Sequence, residues 1–249
     1  MSIRVGIVSA MEREINPLLQ QWERGTIREG ARIYGVWRSK VATYIASGIG
    51  RDPGELATRA LVASERPDIL ISAGFAGALT RYLRVGETIT PGTVIDGQRG
   101  ERFSAVGGNG VLVSAAEIAD ETAKKQLGEQ YEAEAVDMEG ASVARVAQEQ
   151  GIAFCAVKSI SDELGFAMPP FNAYVTRDGK LALERFAAHV AVRPAYWPSL
   201  VQLARNSKKA ASELSAALQH LLSTLTGNNT NTDLRQALAE MMAGARPVN

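Results

Sequence analysis

Near-continuous apolar runs at Asp68 to Ser72 (DILIS) and Ile152 to Ile160 (IAFCAVKSI) constrain this chain more than any other feature. A strand with one face in water alternates apolar and polar residues, so runs without alternation predict strands covered on both faces. The segments around them read alternately as strand and helix. Arg4 to Ser9 is a β-branched run, after which Ile15, Leu18 and Leu19 recur at helical spacing. Ile33 to Arg38 and Val41 to Ser47 read as further strands, and a helix over about Pro53 to Glu65 carries proline in its first turn. Gly86 to Val113 mixes short β-rich pieces with glycines, while Ala116 to Gln130 and Met138 to Gln150 are helical in pattern. The alternation predicts an α/β fold, a doubly wound sheet with helices on both sides and its ligand crevice at the carboxyl ends of the strands.

The residues at those ends are Ala10 to Glu14, the glycine cluster Gly74 to Gly77, and Ser161 with Asp162. Composition narrows what they do. Lys and Arg number 27 against 27 Asp and Glu, so no overall field draws the chain to nucleic acid. One cysteine, Cys155, and two histidines, His189 and His220, leave little for a metal centre, and no metal or cofactor is expected. Cys155 reads as inert core and both histidines as structural. The amino terminus reads as neither signal peptide nor membrane span, which predicts a cytoplasmic protein. No internal repeat is visible, and the character of the chain changes after about Gly165.

Each candidate residue has a bland reading beside the functional one. Gly74 to Gly77 is either a tight turn or a place where backbone approaches a ligand, and it lacks both the G-x-G-x-x-G and the P-loop spacing. Glu139 complements the dipole of the helix it opens, or accepts hydrogen bonds from a sugar diol. Asp162 is a helix cap or a partly buried general acid. Glu12 is a solvated charge or a further carboxylate in the crevice. Acids from separate loops at one sheet edge suit cleavage of an N-glycosidic bond, which needs a protonated leaving base and a stabilised oxocarbenium.

Gly6 to Glu14 (GIVSAMERE), Ser47 to Gly50 (SGIG), Ser72 to Leu79 (SAGFAGAL), Ala135 to Ala144 (AVDMEGASVA) and Lys158 to Asp162 (KSISD) carry a resemblance. In order and spacing they resemble the motifs of the purine and uridine phosphorylase superfamily, and within it the 5'-methylthioadenosine/S-adenosylhomocysteine nucleosidases. The resemblance implies a nucleoside phosphorylase-like three-layer sandwich with a central mixed, largely parallel sheet flanked by helices. It implies that Asp162, supported by Ser161, protonates N7 of the leaving base. Met138 and Glu139 then hold the ribose, and Glu12 positions the attacking water. It further implies that Ala73, Gly74 and Phe75 border the substrate and that Ile118 and Ala119 lie against the purine, Ile118 replacing a family aromatic.

The nucleophile stays open at this point. Phosphorylases of the superfamily hold phosphate with arginines and with a serine that stands where this chain has Phe75, and an apolar Phe75 desolvates an anion without a compensating hydrogen bond. Water is therefore favoured. Arg13, Arg51 and Lys158 remain as phosphate ligands if phosphate is the co-substrate. A noncatalytic nucleoside- or lipid-binding protein is the third reading.

Residues 1–165 are expected to form the core, 166–226 a helical part packing on it, and 227–249 a linker with a terminal helix or tail. Arg193 to Leu200 (RPAYWPSL) and Leu203 to Ala211 (LARNSKKAA) are similar to the tail of hopanoid-associated phosphorylase-like proteins, which implies an apolar substrate such as adenosylhopane. Phe166, Met168, Phe171 and Trp197 then border a channel for the 5' group, and the Leu214 to Leu225 stripe either touches a membrane surface or covers the sheet. The superfamily likeness also implies a homo-oligomer with a small-molecule nucleoside as its partner.

Overall fold

A computed structural model describes residues 3–227 apart from 170 and 177. The expected tail, past Gly227, lies outside the described residues. In chain order the elements are β1 (Val5–Ser9), a 3-10 turn (Glu12–Glu14), α1 (Asn16–Leu19), β2 (Glu23–Glu29), β3 (Arg32–Arg38), β4 (Ala42–Ala46) and α2 (Arg51–Glu65). Next come β5 (Ile69–Ala78), β6 (Thr88–Ile89), β7 (Thr93–Asp96), β8 (Arg102–Ser104), β9 (Val111–Ser114) and α3 (Glu121–Tyr131). The chain continues with β10 (Ala135–Asp137), α4 (Gly140–Gln150), β11 (Ala153–Asp162), α5 (Leu183–Ala191) and α6 (Trp197–Gly227).

The strands form one mixed sheet in the order β2-β3-β4-β1-β5-β10-β9-β7-β8, with β11 beside β5 and β6 beside β11. Both faces are apolar. Leu70 packs with Leu61 of α2 and Ala144 of α4, whereas its neighbours Ile69 and Ile71 pack with the α6 stripe Leu214, Leu218, Leu221, Leu222 and Leu225 on the opposite face. The two faces reflect the period of two along a strand, and helices on both sides explain why β5 and β11 lack alternation. The structure is thus the three-layer α/β sandwich expected. The leucine stripe is fully committed to the sheet and presents no face to a membrane surface. Among the described residues no helix is long and apolar enough to cross a membrane.

The glycine cluster is not a turn. Gly74 to Gly77 continue β5, which pairs with β11 as far as Gly77 opposite Asp162. On its other edge β5 pairs with parallel β1 over Ile69–Ser72 and with antiparallel β10 at Gly77 and Ala78. Ala73 to Ala76 have no strand neighbour on that edge. The gap between the ends of β1 and β10 is where the cleft opens.

Cys155 sits wholly buried in β11, and burial pushes its thiol up to about 12. Leu218 on α6 is also wholly buried, at the sheet centre. Replacing Leu218 with Ala leaves a cavity there, and the expected loss is about 2–5 kcal/mol of unfolding free energy by urea titration.

Candidate active site

Buried carboxylates converge on the gap. Glu14 closes the 3-10 turn after β1 and is 3% exposed. Its Oε2 accepts from the Met11 amide at 3.0 Å and its Oε1 from the Phe75 amide, on the unpaired edge of β5, at 3.3 Å. Gly74 makes room for it. An added Cβ there would lie 3.3 Å from Glu14 Oε2, and the φ of +144° is one that other residues rarely adopt. Desolvation drives the Glu14 carboxyl above its ordinary value, opposed by the Met11 amide and the charge of Lys158.

Glu139 stands at the N-cap position of α4, but its side chain turns away from the helix and its Oε1 accepts from the Gly50 amide at 2.6 Å. Burial first, then the neighbouring Asp137 charge, pushes its carboxyl up to about 8. Asp137 itself is held by Ser114 Oγ at 2.6 Å, the Gly140 amide at 2.8 Å and Lys158 Nζ at 2.7 Å. Lys158, 1% exposed on β11, also donates to Ser72 Oγ at 2.9 Å. At the end of β11, Ser161 Oγ donates to Asp162 Oδ1 at 2.7 Å, and Lys124 of α3 forms a buried ion pair with Asp162 Oδ2.

Apolar side chains wall the rest of the cleft: Met11, Ile49, Phe75, Ile118 and Met138 from the core, Met168, Phe171, Leu181 and Leu203 from the C-terminal part. Asn172 ties the two together. Its Oδ1 accepts from the Ile118 amide at 2.9 Å and its Nδ2 donates to the Ile118 carbonyl at 3.0 Å, as a neighbouring strand would. A second cavity shares Phe75, Phe171, Leu181 and Leu203 and runs on past Phe186 and Leu200.

The expected residues divide accordingly. Asp162, Glu139, Met138, Ser161, Phe75, Ile118 and Ala119 line one cleft. Glu12 does not join them. Its Oε1 pairs with Arg24 Nη2 at 3.1 Å and its side chain is 37% exposed, because a 3-10 turn points residues two apart in different directions. Glu14 faces the cleft in its place. Ala73 is turned into the core beneath the sheet, and Gly74 backs Glu14 rather than lining the cavity. Met168 lines the main cleft and Phe171 both it and the apolar extension, whereas Phe166 lines neither, and Trp197 lies outside both, half exposed, donating to the Val190 carbonyl at 3.1 Å. Sequence reasoning missed Glu14, Lys124 and Asn172. Glu14 had a signal: it precedes Ile15 and stands three residues after Met11, the spacing of a carboxylate that folds back on a turn's first amide. Among the described residues no cluster of His, Cys, Asp or Glu suits a metal ion.

The raised Glu139 carboxyl links stability to pH. Between its ordinary value of 4.5 and about 8, the folded chain keeps a proton that the unfolded chain has lost. Its contribution is therefore full below pH 4.5 and declines as pH rises towards 8, by at most about 1.4 kcal/mol per unit. In thermal melts from pH 5 to 8, Glu139→Gln is expected to flatten the fall in Tm. A slope equal to the wild type's refutes the assignment.

Comparison with known proteins bears on the family and the fold. The sequence profile of the Phosphorylase superfamily matches residues 4–109 and 106–192. A 5'-methylthioadenosine/S-adenosylhomocysteine nucleosidase of Shewanella halifaxensis is 26% identical over 216 residues, covering 71% of this chain and 94% of that protein. An aminodeoxyfutalosine nucleosidase of Helicobacter pylori is 26% identical over 196 residues, 64% of this chain and 85% of that one. Among solved structures, the Arabidopsis thaliana 5'-methylthioadenosine nucleosidase in apo form superposes with a TM-score of 0.71 at 18% identity, over 92% of this chain and 98% of that one. With that profile spanning most of the sequence and the sandwich in agreement, this chain belongs to the phosphorylase superfamily.

Proposed function

We propose that this chain is an N-glycosyl-cleaving enzyme that hydrolyses an adenosine-type nucleoside carrying an apolar 5' group. The observation that carries the reading is the convergence of Asp162, Glu139 and Glu14, each buried and each held by hydrogen bonds, on one cleft. In this reading Asp162 faces N7 of the purine and gives it a proton as the C1'–N9 bond breaks. Glu139 accepts hydrogen bonds from the ribose hydroxyls, Met138 packs on the sugar, and Ile118 with Ala119 forms the wall for the base. Glu14 takes the proton of the attacking water, the role first expected of Glu12. General acid and base assistance of this kind is worth about 10²–10⁴-fold each.

Water is favoured over phosphate by charge. A phosphate entering beside Phe75 meets the Glu14 carboxylate, while Lys158 is engaged by Asp137 and Ser72, and Arg51 by Asp52 and Gln98. Arg13 alone of the earlier phosphate candidates borders the cleft. The apolar extension past Phe171 and Leu203 is matched to a 5' substituent larger and greasier than a methylthio group, with adenosylhopane as the extreme case. Residues 1–165 supply the chemistry in this scheme, and the 166–226 part supplies the wall for that substituent.

The test is base release from methylthioadenosine, S-adenosylhomocysteine, adenosine and an adenosine with a long alkyl 5' chain, each with and without phosphate. Adenine release without phosphate is expected, with the lowest KM for the alkyl substrate. Asp162→Asn and Glu14→Gln are expected to lower kcat at least about 100-fold, and Glu12→Gln to leave it within a few-fold. Strict dependence on phosphate overturns the hydrolytic reading, and loss of activity in Glu12→Gln but not Glu14→Gln overturns the assignment of the base.

A further inference from the structure

Lys124 is 1% exposed, although it lies on α3, a helix whose other lysine, Lys125, is on the surface beside Glu121. Its ammonium pairs with Asp162 Oδ2, donates to the Glu163 carbonyl at 2.8 Å and borders the cleft. The fit is close. A Cβ on Gly77, opposite Asp162 in β5, would stand 3.0 Å from both Asp162 Oδ2 and Lys124 Cε. An ammonium buried against a carboxylate contributes little to stability compared with an apolar pair of the same volume, so a pair at a reacting centre calls for another explanation.

We propose that Lys124 is a positioning residue that holds in reserve the proton Asp162 delivers to the leaving base. The inference rests on the reading of Asp162 as the acid. The Lys124 ammonium directs one of its protons at Asp162 Oδ2 and another at the Glu163 carbonyl, so a proton stands in line behind the carboxylate. As the C1'–N9 bond breaks and its electrons pass to the base, N7 takes a proton from Asp162 and Asp162 takes one from Lys124. Water adds its oxygen to C1' and gives a proton to Glu14. Lys124 ends neutral and Glu14 protonated, so the charge of the site is unchanged, and the proton returns from Glu14 to Lys124 through solvent after release.

The other charged groups around the pair are accounted for. Glu163 is paired with Arg84 at 3.2 Å in half-exposed positions, and Asp120 caps α3 through the Ala123 amide. Glu121 carries Lys125, and Glu117 borders the cleft. Glu14, Asp137 and Glu139 lie across it, around Lys158.

The experiment is the pH profile of adenine release from methylthioadenosine for the wild type, Lys124→Met, Lys124→Arg and Asp162→Asn, from pH 5 to 10. Lys124→Met is expected to lower kcat at least about tenfold with KM within threefold, and to move the high-pH limb of kcat down by more than one unit. Lys124→Arg keeps the charge but not the transferable proton, and is expected to stay as slow as the Met variant; it decides the matter if Lys124→Met fails to fold. Wild-type kcat with an unmoved high-pH limb in either Lys124 variant, beside an inactive Asp162→Asn, overturns the reserve while leaving Asp162 as the acid. A wild type that releases no adenine from either methylthioadenosine or the long-alkyl adenosine, or an active Asp162→Asn, overturns the reading of Asp162 and this inference with it.

Discussion

The cleft exists because Lys158 makes its carboxylates tolerable together. Asp137 on β10, Glu139 at the start of α4 and Glu14 after β1 are all buried, and like charges at that density would repel and desolvate one another. Lys158 lies among them, bonded to Asp137 and attracting both glutamates. One cation cannot neutralise them all. Burial pushes the Glu139 and Glu14 carboxyls upward and the charge of Lys158 opposes that shift, while Asp137, which also accepts from Ser114 Oγ and the Gly140 amide, takes the cation directly.

Geometry supplies the second half of the design. A parallel sheet normally leaves no backbone edge open at its centre, but β1 and β10 both border the same side of β5 and stop short of one another. The freed Phe75 amide needs a partner, and a glutamate rather than a strand provides it. The chemical group and the interruption of the ladder are therefore one feature, and Gly74 permits it by leaving space where a side chain would collide with that glutamate.

Much of this was legible in the sequence where burial follows apolarity. β5 and β11 read directly as covered strands and β1 as a β-branched one, Asp162 fell at the end of β11, and Met138 and Glu139 read as the opening of a helix, which they are. What escaped was polar residues in apolar places. β2 (Glu23–Glu29) gave no signal because only Ile27 of it is buried. Lys124 reads as a surface lysine, since lysines are almost never fully buried without a partner, and its partner lies 38 residues away. Glu12 and Glu14 differ only in which way a single turn faces. The glycines of β5 pointed to a turn because glycine weakens strands, yet here they let neighbouring side chains approach the backbone.

The 31 residues of α6 form one helix, roughly 46 Å long. Its first turns carry Leu203 at the apolar wall, and its later turns carry the leucines that seal the sheet. The helix therefore works as a cantilever clamped at its far end. The wall at Leu203 cannot slide along the helix axis without pulling on the packing about four turns away. The width of the cleft at Leu203 is then inherited from the rigidity of the fold, and slackness introduced at Leu218 would be felt there.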